Sequence, residues 1–140
     1  MVTAIIVAAG KSERMGAGTD KAFLNLGPKP VVAWSLLAFE RCADVDQIVL
    51  VVRKDQLIAA KAVVRMFGIS KVRAVVAGGA KRQDSVMNGL KELDVDTRFV
   101  VVHYGARPCV RPETISEVVK LARRAGAAVV GCHIWDTVKF

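Results

Sequence analysis

An α/β fold, with a mostly parallel twisted sheet and helices on both faces, is predicted by three features of the sequence. Five short runs rich in Val and Ile, at residues 3–9, 47–52, 72–77, 98–103 and 127–133, are apolar without alternation. Continuous apolarity means that both faces of a strand are covered. The segments between the runs carry apolar residues at helical spacing, and Gly or Pro stands at their ends. Strands that alternate with helices imply βαβ units with right-handed crossovers and a parallel sheet.

The first run, 3–9, opens the sheet, and a long irregular segment, 10–29, follows it. Irregular segments of that length in a compact domain are usually functional. Pro30 is placed as a first-turn residue for a helix with Val32, Leu36 and Phe39 on one face. After the second run, Asp55 is the expected N-cap of a helix that aligns Leu57, Ala60, Val64 and Phe67 and stops at Gly68. Val86, Leu90 and Leu93 mark a third helix. Pro112 opens a fourth, carrying Ile115, Val118, Val119 and Ala122 and ending at Gly126. The 140 residues give room for one core, so a single domain over 1–140 is expected. Ligands of such sheets bind at the carboxyl ends of strands, which singles out the loops after Ala9, Ala77 and His103.

The formal net charge is +8, which points to an anionic partner. The basic residues are scattered, with Arg123-Arg124 a local maximum, and a single Tyr leaves no aromatic platform for stacked bases. Nucleic acid is therefore disfavoured. Cys42, Cys109 and Cys132 are odd in number and far apart, which suggests neither a disulfide framework nor a zinc site. His103 and His133 each end an apolar run, where a hydrogen-bonded structural histidine is the expectation. The first run is too short to span a bilayer and no basic segment precedes it, so the expected location is the cytoplasm, without membrane attachment.

Two loops carry the chemistry. Ala8-Ala9-Gly10-Lys11-Ser12-Glu13-Arg14-Met15-Gly16 follows the first strand. Small residues there let backbone N–H groups approach a phosphate chain. Gly10-Lys11-Ser12 is not a Walker A motif, because Ile5 stands where the motif needs its first Gly. Nor is it a dinucleotide fingerprint, since position 12 is Ser. The second loop, Gly78-Gly79-Ala80-Lys81-Arg82-Gln83-Asp84-Ser85-Val86-Met87-Asn88-Gly89-Leu90, follows the third strand.

The first loop, with Lys21 a few residues on, resembles the signature of sugar-phosphate and cofactor nucleotidyltransferases. The second, together with His103-Tyr104-Gly105-Ala106-Arg107-Pro108 and Asp136-Thr137-Val138-Lys139, resembles the methylerythritol-phosphate cytidylyltransferases of non-mevalonate isoprenoid synthesis. Ribitol-phosphate cytidylyltransferases share much of this pattern. The resemblance runs from Thr3 to the last residue and implies a Rossmann-like sheet of the nucleotide-diphospho-sugar transferase type. It also implies transfer of CMP from CTP to methylerythritol phosphate, with magnesium held mainly through the triphosphate, and a homodimer. By the same resemblance Arg14 and Lys21 are catalytic and clamp the triphosphate. Ala8, Ala9, Gly10 and Lys11 hug the nucleotide, and Gly78, Gly79, Arg82, Ser85 and Gly105 complete its site. Arg107 and Thr137 take the phosphate of the sugar alcohol.

Two departures bear on catalysis. The family carries an aspartate where this chain has Tyr104, so no protein metal ligand is assigned: a carboxylate suits magnesium, whereas a phenol is neutral at pH 7 and a poor ligand. The family also continues beyond the Asp136-Thr137-Val138-Lys139 motif, with a dimerising arm, while this chain stops at Phe140. A binding domain without turnover is the alternative expectation, and another nucleotidyltransferase sharing only the first loop is a weaker one.

Overall fold

The computed structural model describes residues 1–11 and 20–139. Four parallel strands form its main sheet: β1 (Val2–Ala8), β4 (Gln47–Val52), β5 (Val72–Ala77) and β6 (Phe99–Tyr104), in spatial order β5-β4-β1-β6. Two short strands, β2 (Asn25–Leu26) and β3 (Lys29–Pro30), make a hairpin inside the segment expected to be irregular. Gly27 turns it with a φ of 65°, a left-handed conformation that Gly adopts without a steric penalty.

The helices are α1 (Val31–Glu40), α2 (Leu57–Met66), α3 (Arg82–Leu90) and α4 (Pro112–Ala125). All seven residues of β1 are buried, as its unbroken apolar run requires. Its alternate side chains enter two cores. Ala4 and Ile6 join Leu50 of β4, Leu36 and Phe39 of α1, and Ile115 and Val119 of α4. Ile5 and Val7 join Val49 and Val51 under α3, with Val86 and Leu93 packed against them. Three helices therefore cover one face and α3 covers the other. That single helix leaves Val100 and Val102 of the edge strand β6 36% and 45% exposed.

Several expectations need correction. Residues 127–133 form no strand; Val129 is 88% exposed and nothing among the described residues covers the run on two faces or pairs with it in a ladder. Asp55 is not the cap of α2: its carboxylate is held by Arg53, a 3-10 turn spans Lys54–Gln56, and Gln56 occupies the N-cap position. The third helix ends at Leu90, so Leu93 reaches its core from the turn beyond. Pro30, expected in the first turn of α1, is instead its N-cap and the last residue of β3, while Pro112 stands in the first turn of α4 and Gly68 and Gly126 have positive φ after α2 and α4.

His103 is structural in the sense expected. Its Nε2 lies 3.0 Å from the Arg107 carbonyl oxygen, and its ring packs 5.1 Å from that of Phe39. Burial holds its pKa below the ordinary 6.5, helped by the Arg107 charge and opposed by the bond to the Arg107 carbonyl. A depressed histidine pKa means that the unfolded chain binds the extra proton more readily. The stability contributed is present above about 6.5 and is lost as pH falls through the folded value. Wild-type stability should therefore drop between pH 7 and pH 5 more steeply than that of His103→Gln. Urea titrations across that range check it, and parallel curves would exclude the assignment.

Gly89 is where α3 touches the sheet: a Cβ there would stand 2.6 Å from Ile5 Cγ2 and 3.2 Å from Val51 Cγ2. Ala gains about 1 kcal/mol of helix propensity over Gly. Overpacking a dense core costs about 1–3 kcal/mol. Gly89→Ala should thus lower stability by ~1 kcal/mol net in urea unfolding, and a stabilised variant would show that α3 stands further from β1 than described.

Candidate functional site

The chain runs from β1 outward to β4 and β5, then returns past β1 to form β6 on its other side. The reversal opens a crevice at the carboxyl ends of the strands, which is where α/β sheets bind ligands. A cleft of about 900 Å³ lies there. Val7, Ala8, Ala9 and Gly10 line it from the end of β1, and Gly78 to Arg82 with Ser85 line it from β5 and the start of α3. Arg53, Lys54 and Asp55 follow β4, while Tyr104 and Ala106 come from the end of β6. Asp20, Lys21 and Ala22 approach from the 3-10 turn before β2.

Backbone packing explains the small residues. A Cβ on Gly78 would fall 2.3 Å from Ala9 Cβ and 2.7 Å from Ser85 Oγ; one on Gly79 would fall 2.3 Å from Asp84 Cβ. The first and second loops therefore touch at Ala9 and Gly78. The Gly79 N–H donates to Ser85 Oγ at 3.1 Å, and that hydroxyl lies 3.3 Å from the Lys81 carbonyl oxygen as its donor. Asp84 Oδ2 accepts from the Lys81 N–H at 3.0 Å, closing the first turn of α3. Opposite, the Ser35 hydroxyl donates to the carbonyl oxygens of Gly105 and Arg107 at 2.9 and 3.2 Å, fixing the turn after β6 from inside.

The cleft is cationic. Among the described residues Lys11, Lys21, Arg53, Lys54, Lys81 and Arg82 face two acids, Asp20 and Asp55. Asp55 is engaged by Arg53 through two bonds of 3.1 and 2.7 Å. Asp20 is 8% exposed; its Oδ1 accepts from the Ala22 N–H at 3.2 Å, and its Oδ2 has no hydrogen-bond partner among the described residues. Burial pushes its pKa above the usual carboxylate value, with the Ala22 N–H and the Arg53 charge pulling the other way. The α3 N-terminus adds its partial positive charge to this wall. Such a field suits a polyanion.

Of the residues expected at the site, Ala8, Ala9, Gly10, Lys11, Lys21, Gly78, Gly79, Arg82 and Ser85 line the cleft. Gly105 is beneath it, where a Cβ would meet Ala8 Cβ at 3.0 Å. Arg107 is exposed and does not line the cleft, though its Cζ lies 5.0 Å from the Tyr104 ring that does, and Thr137 is in the exposed irregular chain after α4. Arg14 lies outside the described residues. Sequence reasoning missed Arg53, Lys54 and Asp55, although the rule that found the other loops applies equally to the end of β4, which lies between β1 and β5. It also missed Asp20, which has no spacing signal of its own.

Residues 2–140 match the family model described as 2-C-methyl-D-erythritol 4-phosphate cytidylyltransferase. The chain is 46% identical over 138 residues to the protein of that description from Dehalococcoides mccartyi, covering 99% of this chain and 60% of the relative. It is 40% identical over 139 residues to that from Alkaliphilus metalliredigens, covering 99% and 58%. The crystal structure of 4-diphosphocytidyl-2C-methyl-D-erythritol synthase from Anaerococcus prevotii superposes with a TM-score of 0.76 at 30% identity, over 89% of this chain and 51% of that one. The chain thus spans about three-fifths of the length of these curated relatives. With the model matched over almost every residue and the fold shared, the chain belongs to the 2-C-methyl-D-erythritol 4-phosphate cytidylyltransferase family.

Proposed function

We propose that the cleft binds CTP and that the protein to which this sequence belongs transfers the cytidylyl group to methylerythritol phosphate. The observation that carries this reading is the closeness of backbone to cavity at Ala9 and Gly78, under a rim of cations. Small residues admit a pyrimidine edge-on to main-chain groups. Ser85 serves this by shaping the loop, since its hydroxyl is engaged with Gly79 and Lys81.

In the reaction, a phosphate oxygen of the acceptor attacks the α-phosphorus in line. The bond from the α-phosphorus to the bridging oxygen breaks, and pyrophosphate leaves with the electron pair. No covalent enzyme intermediate is needed, so the protein contributes position and charge. Lys21 and Arg14 stabilise the triphosphate as charge moves toward the leaving group, assisted by Lys11 and the α3 N-terminus. Gly78, Gly79 and Gly105 leave room for base and ribose, and Arg107 with Thr137 serves the acceptor phosphate. A smaller hollow of about 280 Å³ shares Lys21 and Ala106 with the cleft, a position suited to a second small substrate.

A divalent cation fits the cleft as a companion of the triphosphate. No three His, Cys, Asp or Glu side chains come together among the described residues, but Asp20 brings one carboxylate oxygen that lacks a partner there. Magnesium, held by the triphosphate with Asp20, would supply neutralisation of phosphate charge. The same reading makes the chain one nucleotide-binding unit of a cytoplasmic homodimer that uses no nucleic acid. Among the described residues no helix is long and apolar enough to cross a membrane.

CTP with magnesium should raise the thermal midpoint more than ATP or GTP does. At 100 times its dissociation constant a ligand adds about 2.7 kcal/mol of stability. Equal shifts with all nucleotides would remove the cytidine assignment. Lys21→Ala should weaken CTP binding by about 10-fold or more, as expected for loss of a charged hydrogen bond worth about 1.5–3 kcal/mol. Calorimetric titration checks it, and a change below twofold would take Lys21 out of the site.

A further inference from the structure

Tyr104 stands at the end of β6 with its ring against the apolar cluster under α3, and it also lines the cleft. Two guanidinium groups approach that ring. The Arg82 Cζ is 4.3 Å from its centroid and the Arg107 Cζ 5.0 Å, both within the range of a cation–π contact. They come from different elements, Arg82 from the first turn of α3 and Arg107 from the turn after β6, where its N–H donates to the Tyr104 carbonyl at 3.0 Å. Both arginines are exposed, and among the described residues neither has a carboxylate partner.

The chemistry of the anchor decides what this arrangement can do. A carboxylate at position 104 would gather the two guanidinium groups by ion pairing and cancel charge in doing so. An aromatic ring gathers them through its quadrupole and leaves both charges available. Two cations that share one ring and have no carboxylate partner among the described residues can receive an anion, and guanidinium matches phosphate oxygens in fork geometry.

We propose that Tyr104 is a positioning residue that brackets Arg82 and Arg107 into a paired guanidinium site for phosphate oxyanions at the mouth of the cleft. This rests on the reading of the cleft as a phosphate-binding site and adds to it a role for the residue that replaces the family's aspartate. The phosphate belongs either to the nucleotide or to the small acceptor, and the two are separable by titration.

Inorganic tripolyphosphate and CTP are titrated calorimetrically into the chain without metal at low salt, and glycerol 3-phosphate is titrated with CTP already bound. Tyr104→Phe, which keeps the ring, should bind within about twofold of wild type. Tyr104→Leu should bind about tenfold more weakly. Arg107→Gln should cost about tenfold beside Tyr104 but no more than twofold beside Tyr104→Leu, a coupling that mere loss of packing does not produce. Losses confined to tripolyphosphate and CTP assign the bracket to the nucleotide; losses confined to glycerol 3-phosphate assign it to the acceptor. If Tyr104→Leu does not fold, Phe and its progressively fluorinated analogues at position 104 keep the shape while weakening the quadrupole, and affinity should fall stepwise with fluorination.

Wild-type affinity in Tyr104→Leu, equal costs of Arg107→Gln in both backgrounds, or indifference to fluorination overturns the bracket while leaving CTP binding in place. The opposite pattern, in which tripolyphosphate binding shows the coupling but CTP is not preferred to GTP, supports the bracket and overturns the cytidine reading instead. Failure of all three phosphate compounds to bind overturns both.

Discussion

β1 is hydrogen-bonded to β4 on one edge and to β6 on the other, and it is buried on both faces. With no freedom to slip by one residue, since that would exchange its two core faces, the strand fixes the register of its neighbours. The ladders place Ala8 beside Val52 and Val7 beside Tyr104. The β4–β5 and β1–β6 ladders continue past the strand ends, with the Gly78 N–H donating to the Val52 carbonyl and the Gly105 N–H to the Val7 carbonyl, each at 2.8 Å. Four loops are thereby delivered to one edge of the sheet at main-chain precision, and the cleft is the space between them.

That delivery constrains side-chain size more than side-chain chemistry. Ala9 against Gly78, and Ala8 against Gly105, are contacts at which an alanine methyl packs onto a glycine with little or no room for another side-chain carbon. Larger residues there would separate the loops. The polar side chains near these contacts, Ser85 and Ser35, are spent on holding loops in shape. Recognition of a small ligand in such a place rests on main-chain groups, which mutate only through their steric surroundings.

The sheet was legible because each buried strand has an unmistakable run and three of the helices, α1, α2 and α4, have a Pro or Gly at an end, as in Pro112 and Gly126. The run at 127–133 has the same composition, and composition carries no information about whether a neighbouring edge will pair with it. The site was legible where residues come in dense loops, as from Gly78 to Ser85. Arg53 and Lys54 escaped because a pair of basic residues after a strand looks like any solvated end, and their place in the cleft follows only from β4 lying between β1 and β5. The contacts of Tyr104 with Arg82 and Arg107 were equally hidden: the sequence displays a tyrosine after a histidine, and only the fold shows which two charges meet its ring.

A binding site for polyphosphate has to keep cations close together in a protein that must also fold. In water two unit charges ~8 Å apart repel by about 0.5 kcal/mol. A single exposed cation–π contact contributes about 0.5–1 kcal/mol, enough to offset that repulsion. Arg53 takes the other course: its charge is matched by Asp55 in a two-bond pair at the rim. Ion pairing lowers the energy of the empty site and must be partly given up when an anion arrives, whereas a guanidinium resting on an aromatic face keeps its N–H edge directed outward. The two devices divide the cleft. On the β4 side Asp55 offsets Arg53 while Lys54 forms no ion pair among the described residues, and on the β6 side the Tyr104 ring meets two arginines that have no carboxylate partner among those residues.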